Sequence, residues 1–338
     1  MNSTMSPNYI PKVSVIVPVY NTERYVERAI ISLMEQTLDD VQFIIIDDGS
    51  KDNSLNIIKQ VIARYPARQG QVTLISRENR GVAATRAQGM ELATGDYVIH
   101  LDSDDWAELN WLEALYTKAI EDNADVVVCN FYSVLKKKQL LFTQTIPEDN
   151  LECVRMLLTG NISNMNWDKM VRRGLFEEHK IQFHVGYNMG EDFLITFLVL
   201  FNSKIITHVD SGLYFYNKSN DSSLTSYYSE DSFSSLLTIT ALLEDYLQNT
   251  PELHSLRNEI NHFKLNTISL RIINSAGHPH DIEMAFSLYP ELNKLIYTSE
   301  FKMLKVMYFL KKSKLLYLAK YILAARVFKI RVLTYMFK

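Results

Sequence analysis

Between residues 13 and 131, short β-branched runs take turns with helical stripes, and few folds accept that order. Val13-Ser14-Val15-Ile16-Val17 has the near-continuous apolar character of a strand buried on both faces. Asn21 or Thr22 then stands where a cap belongs, ahead of a stripe formed by Tyr25, Val26, Ala29, Ile30, Leu33 and Met34. Strands over 41–46, 71–75, 96–101 and 125–131 alternate with helices over 54–65, 82–92 and about 110–121. Such alternation implies an α/β unit, with a mostly parallel sheet, right-handed crossovers and flanking helices. Residues 132–146 read as an antiparallel excursion around Lys136-Lys137-Lys138.

Further on the pattern changes. Residues 151–201 read as mostly helical, and short strands are expected over 205–209 and 213–217. From about 232 it is all helix, over 232–248, 254–274 and 281–298. The change sets the expected domain boundary near residue 225, and 338 residues suffice for an α/β domain plus a smaller unit. A net charge of −4 argues against a general nucleic-acid binder, yet it hides an asymmetry. Residues 301–338 hold ten Lys or Arg and no acid, which leaves −14 on residues 1–300. Met303, Leu304, Met307, Phe309 and other apolar residues are interleaved with those bases. That is the composition of helices lying on an anionic membrane surface, where each base adds about 1 kcal/mol. Packing against the acidic body is the plainer alternative. No apolar run reaches bilayer-spanning length, and residues 1–12 are polar, so neither a span nor a signal peptide is expected. Cys129 and Cys153 stand apart, which gives no disulfide framework and no zinc site, and suits a reducing cytoplasm.

In an open parallel sheet, ligands bind beyond the carboxyl ends of the strands. There the sequence puts Pro18-Val19-Tyr20-Asn21, then Asp47-Asp48-Gly49-Ser50 with Asp52 and Ser54, then Asn79-Arg80-Gly81, then Asp102-Ser103-Asp104-Asp105. Two acidic clusters on one edge repel unless cations or hydrogen-bond donors intervene. Asp102 and Asp104, two apart at a strand end, point the same way. They suit a hard divalent ion, Mn²⁺ or Mg²⁺, that keeps positions open for phosphate oxygens. Asp105 is placed to cap the helix containing Trp111. Asp47 and Asp48 point to opposite sides, one toward a ligand's donors and the other toward the loop. Gly49 permits the turn, and Ser50 or Asp52 caps the next helix.

Taken together, these elements resemble the family 2 glycosyltransferases, inverting enzymes of the GT-A type, whose sheet is Rossmann-like. The resemblance rests on Pro18-Val19-Tyr20-Asn21, Asp47 to Ser54, Asn79-Arg80-Gly81-Val82-Ala83-Ala84-Thr85-Arg86, Gly95-Asp96-Tyr97 and Leu101-Asp102-Ser103-Asp104-Asp105, in order and correctly spaced over residues 13–106. It continues more loosely through Trp167-Asp168-Lys169-Met170, Gly190-Glu191-Asp192-Phe193 and Tyr214-Phe215-Tyr216 to about residue 225. The later pieces are similar to bacterial enzymes that build capsule, exopolysaccharide or lipopolysaccharide. The family pattern often has Ala-Arg-Asn where Thr85-Arg86-Ala87-Gln88 stands here, and His100 replaces a usual apolar residue.

The resemblance implies a catalytic domain over 1–225, with a nucleotide-sugar half (13–106) and an acceptor half (107–225). A helical region over 226–300 and basic amphipathic helices over 301–338 follow. The donor implied is a nucleotide-sugar, a UDP-sugar first, contacted by Pro18, Tyr20, Asn21, Asp47, Asp48, Asn79, Arg86, Asp102, Ser103 and Lys169. Asp48 would face the uracil with Arg86 beside it. Asp104 would be the firmer metal ligand, and Asp102 would face the ribose and sugar. Asp192, with Glu191 beside it, would be the general base. A sugar hydroxyl needs such a carboxylate, from a segment opposite the leaving diphosphate. Acids after Gly190 also suit the first turn of a helix over 192–201 through its dipole alone. Trp106, Trp167, Tyr187, Tyr214 and Tyr216 are candidates to stack on sugar rings, Trp167 before the others, though aromatics fill cores as readily. The acceptor implied is a glycan or lipid-linked glycan at the inner face of the cell membrane. No QxxRW motif of processive synthases is present, so one sugar per encounter is expected. The competing readings are a non-catalytic binding protein that keeps the fold, and a nucleotidyltransferase. The latter would show a Gly-rich phosphate loop where Pro18-Val19-Tyr20-Asn21 stands.

Overall fold

The computed structural model describes residues 10–184, 186, 189–220 and 229–325. The chain divides into two compact units, Met1–Ser223 and Leu224–Lys338.

The first unit is built on one nine-stranded sheet. Its elements run β1 (Val13–Val19), α1 (Val26–Met34), β2 (Val41–Asp47), α2 (Ser54–Arg64), β3 (Val72–Ser76), α3 (Val82–Leu92) and β4 (Tyr97–His100), then β5 (Trp106–Ala107), α4 (Trp111–Glu121), β6 (Val126–Leu135) and β7 (Lys138–Phe142). They continue as α5 (Asn150–Leu158), β8 (Lys169–Arg172), α6 (Arg173–Glu178), α7 (Glu191–Asn202) and β9 (Ile206–Asn217). The spatial order is β3-β2-β1-β4-β8-β6-β9-β5, with β7 paired to β6. β3, β2, β1 and β4 are parallel, and so is the long β6–β9 ladder. β8 runs antiparallel between β4 and β6.

The period of two explains why β1 is apolar on both faces, with Ser14 alone polar and bonded to Gln42. Val13, Val15 and Val17 enter one core with α1, α4 and Trp111. Ile16 enters another with Ile44, Ile46 and Val98, on the side that α3 covers. Gly89 of α3 lies so close to β1 that an added Cβ would stand 2.4 Å from the Ile16 Cγ2.

Several local expectations change. β8 sits inside a stretch that reads as helical, because four residues carry too little pattern to announce a strand. The two expected strands over 205–217 are one strand, β9, which shifts register against β6 at Cys129/Asn130 and Asn130/Phe131. Such bulges bend a strand without ending it. Asn21 does not cap α1. It has a positive φ of 51°, and a turn with Tyr25 N–H on the Thr22 carbonyl leads into the helix.

The second unit holds α8 (Glu230–Asn249), α9 (Arg257–Asn274), α10 (Pro279–Ser287) and α11 (Lys302–Lys312). A short 3-10 turn at Pro251–Leu256 takes the first residues of the helix expected over 254–274, and another at Pro290–Leu295 interrupts the one expected over 281–298. Its core joins Ile268, Ile272, Ile282 and Phe286 to Leu304, Met307, Leu310, Leu316 and Leu323. Much of the basic tail's apolar stripe is therefore buried inside this unit as far as it is described, while Val306, Phe309, Tyr317 and Tyr321 stay exposed. Residues 326–338 lie outside the described part. No described helix is long and apolar enough to cross a membrane.

Candidate active site

Because β3, β2, β1 and β4 are neighbours and parallel, their carboxyl ends bring the four loops of the sequence motif to one sheet edge. The loops are then stitched together by side chains. The Asn21 Oδ1 accepts the Lys51 N–H (2.8 Å), and the Ser50 Oγ accepts the Asn21 N–H (3.0 Å). Asp52 accepts the N–H groups of Glu23 and Ser54, while Glu23 accepts that of Asn53. Thr22 and Ser103 meet hydroxyl to hydroxyl at 3.1 Å. Gly49, at φ +78°, allows the third loop to close over it, since a Cβ there would stand 2.8 Å from the Asn79 nitrogen. Pro18 lies on β1 itself, opposite Ile46. Tyr20, Asn21 and Asn79 are exposed on this edge.

Both aspartates of the second loop brace backbone. Asp47 accepts the Ser50 N–H and the Ser76 hydroxyl. Asp48 is buried and accepts the N–H groups of Arg80 (2.9 Å) and Gly81 (2.8 Å), with the Arg77 guanidinium at 2.5 Å. Neither carboxylate is bare: Asp48, which the resemblance sets facing the uracil, also braces the third loop. Gln88, where the family pattern departs, accepts from Arg77 Nε at 2.8 Å.

Arg86 is the electrostatic centre. Its side chain is 4% exposed and reaches three carboxylates: Asp102 at 2.9 Å, Asp192 at 2.6 Å and Glu191 at 3.2 Å. One comes from the end of β4 and two from the first turn of α7. Burial alone would lower the guanidinium pKa, but the three carboxylates outweigh it and raise it. Asn166 donates a second hydrogen bond to the Asp192 Oδ1 at 2.6 Å. Burial pushes the Asp192 carboxyl up to about 7, with Arg86 opposing and Glu191 and Asp102 adding. His100 lies buried under this cluster, edge-on to Phe183. Burial and then Arg86 hold it well below its ordinary pKa, so it is neutral.

Asp104 accepts from the Asn220 amide at 2.7 Å. Its pKa is raised by burial and then by Asp102. Asp105 is not the cap of α4. It is buried and accepts the Tyr214 hydroxyl and the Asn217 N–H, which pins β9 to the strand end. The Tyr214 oxygen in turn accepts the Asp102 N–H. Among the described residues no three His, Cys, Asp or Glu side chains gather to hold a metal ion. Asp102 and Asp104 supply two mutually repelling carboxylates. As hard oxygen donors they would fit a divalent cation that took its other ligands from phosphate oxygens and water.

Lys169 does not face the cleft. It is buried, and its ammonium is bonded to the carbonyls of Ser163 and Met165 and to Asp168. It braces the loop that carries Asn166. Trp167 is also a core residue, 1% exposed, stacked on Tyr214 at 4.3 Å and edge-on to Phe131 at 4.7 Å. Tyr187 lies outside the described residues. Asn166, Asn217 and Asn220 were not expected in the site, and Tyr214, a candidate to stack on a sugar ring, instead bonds Asp105 and the Asp102 N–H. The three amides are brought there by packing from distant segments, and only their closeness to the Trp167 and Tyr214 motifs points to them.

Comparison with known proteins agrees with this geometry. Residues 14–180 match the glycosyl transferase family 2. EpsH of Bacillus subtilis, named as a glycosyltransferase, is 30% identical over 271 residues, which cover 78% of this chain and 77% of EpsH. The poly(ribitol-phosphate) beta-N-acetylglucosaminyltransferase TarP of Staphylococcus aureus is 30% identical over 197 residues, 57% of this chain and 58% of TarP. In structure, a TarS fragment from S. aureus crystallised with UDP-GlcNAc superposes with a TM-score of 0.71 at 20% identity, covering 93% of this chain and 91% of that one. The parallel edge with its stitched loops, the sequence match and the shared architecture agree: the chain belongs to glycosyl transferase family 2 and has the GT-A fold.

Proposed function

We propose that this glycosyltransferase moves one sugar, hexosyl or N-acetylhexosaminyl, from a UDP-sugar to a glycan or lipid-linked glycan with inversion, in surface polysaccharide assembly. The observation that carries the reading is the Arg86 cluster, in which the strand-end Asp102 and the helix-start Asp192 share one buried guanidinium. In this reading Asp102 serves the donor and Asp192 the acceptor, and Arg86 holds the two at a fixed separation. Asp192 accepts the proton of the acceptor hydroxyl as that oxygen attacks the anomeric carbon. Attack from the Asp192 side, opposite the leaving diphosphate, inverts an α-linked donor to a β product. A Mn²⁺ or Mg²⁺ ion on Asp104 and Asp102 would neutralise the diphosphate as it departs. Asp48 and the loop it braces, with Tyr20, Asn21 and Asn79, form the wall for the nucleotide. UDP is favoured because TarS was crystallised with UDP-GlcNAc and TarP is an N-acetylglucosaminyltransferase by name.

A peripheral place on the inner face of the membrane suits a lipid-linked acceptor. Phe309, Tyr317 and Tyr321 are exposed on the second unit, in a stretch with Lys312, Lys314 and Lys320 and no acid. The test is a thermal-shift panel of UDP, GDP and CMP with and without Mn²⁺. A ligand that binds the folded state raises the melting temperature by mass action. UDP alone among the three should do so, only with the metal, and Asp104→Ala should abolish it. Stabilisation by GDP or CMP instead would refute the donor class. No shift with any nucleotide would leave a fold without donor binding.

A further inference from the structure

β7 is an edge strand, paired on one side with β6 alone. Long apolar edges invite association, and proteins usually shorten, charge or cover them. Here all five residues of β7 are exposed. Leu140 is 48% exposed, Leu141 49% and Phe142 40%. The turn before them is Lys136-Lys137-Lys138, and no acid occurs between Asp125 and Glu148. Lys218 adds a further base, because its N–H bonds the Val134 carbonyl and seats it beside the hairpin.

The hairpin is also tied to the reacting edge. Phe142 stacks on Phe131 at 4.7 Å, and Phe131 meets Trp167. Gln144, on the returning strand's exit, bonds Asp168 at 2.8 Å and accepts the Ser163 N–H at 2.8 Å. Those contacts hold the loop of Asn166, which grips Asp192.

We infer that the β6–β7 hairpin docks on an anionic lipid surface, with Lys136, Lys137, Lys138 and Lys218 on the headgroups and Leu140 and Leu141 at the acyl boundary. Charge complementarity selects this occupant. The four lysines, with no acid between Asp125 and Glu148, match anionic headgroups, while two-fold pairing of β7 with a second copy would set the lysine turns at opposite ends and leave them unmatched. The hairpin lies at the interface and not within the hydrocarbon, because the free edge of β7 must keep water or headgroup partners. Its value to the enzyme rests on the function proposed above: a lipid-linked acceptor would arrive on the side of Asp192.

Flotation of the full chain with phosphatidylcholine vesicles, with and without one third phosphatidylglycerol, tests this. Binding should require the anionic lipid and weaken with salt. The triple variant Lys136→Glu, Lys137→Glu, Lys138→Glu and the double variant Leu140→Ser, Leu141→Ser should each bind at least tenfold more weakly. Both should keep the melting temperature and the response to UDP and Mn²⁺. Lys312→Glu with Lys314→Glu is measured beside them, because that stretch is also placed at the membrane above, and the hairpin variants must lose binding whether or not this pair does. Wild-type flotation by either hairpin variant, or loss only in that pair, overturns the inference. So does a sedimentation change showing that the hairpin variants break a dimer. Loss of the UDP response in the wild type would instead refute the donor reading and leave the hairpin result standing.

Discussion

Arg86 carries one positive charge among three carboxylates, so the cluster keeps a surplus of negative charge in a place with little water. That surplus, added to burial, is why Asp192 titrates near 7. Two consequences follow at this residue. As a base, Asp192 works only when ionised, so kcat/KM, which reports the free enzyme, should fall about tenfold per pH unit below about 7. A profile flat from pH 5 to 9 would remove it from that role. In stability the sign is opposite. The unfolded carboxyl titrates near 3.9, so the stability this group contributes is full below that pH and is lost as pH rises through about 7. Asp192→Asn should therefore lower kcat by a factor on the order of 10² to 10⁴, while the melting temperature at pH 8 stays the same or rises. A variant that loses both would mean that Asp192 holds the fold. Sequence alone singles out Arg86, Asp102, Glu191 and Asp192 through motif and order, and the fold brings these four together. Sequence could not reach the contacts of Lys169 and Trp167. An ammonium or an indole beside a motif looks the same whether it faces a ligand or the core, and here three protein oxygens and three aromatic rings claim them.

At the scale of elements, the strands that were legible are those buried on both faces. β1, β2 and β4 read plainly because most positions on both faces are apolar, with Ser14, Gln42, Asp47 and His100 the exceptions. β8 has four residues with basic ends, and only its place between β4 and β6 makes it a strand. β9 looked like two strands because Asp210-Ser211-Gly212 has turn composition. A bulge absorbs that segment, and Gly212 stands so near Tyr132 that an added Cβ would lie 2.5 Å from its ring. α3 was read to the residue, but its tight seat on β1 was not. That seat reverses an ordinary rule. Alanine normally replaces a mid-helix glycine with a gain of roughly 0.5–1 kcal/mol. At Gly89 the new methyl meets the branched, fully buried Ile16. Gly89→Ala should cost about 1–3 kcal/mol, seen as a lower denaturant midpoint at constant m. An equal or higher midpoint would show that α3 can lift from β1 without penalty.

At the scale of the whole molecule, the charge asymmetry invited one explanation for two features. The basic residues of 301–325 do lie largely at the surface, but the apolar residues between them divide into two sets. Leu304, Met307, Leu310, Leu316 and Leu323 are buried in the core of the helical unit. Val306, Phe309, Tyr317 and Tyr321 are exposed. Hydrophobic periodicity shows that a helix has an apolar stripe and leaves open what covers it. The two sets should part cleanly on measurement. Leu304→Ala removes a fully buried side chain and should cost about 2–5 kcal/mol in the helical unit's own transition. Phe309→Ala should change that transition by less than about 0.5 kcal/mol and act, if anywhere, on vesicle binding. Equal losses of stability from both would mean that the exposed row is also packed. No loss from Leu304→Ala would mean that the tail is held by something other than its own core. Were the second result obtained, the tail would again be free for the membrane along its whole apolar stripe, and the hairpin of the first unit would be one lipid contact of two.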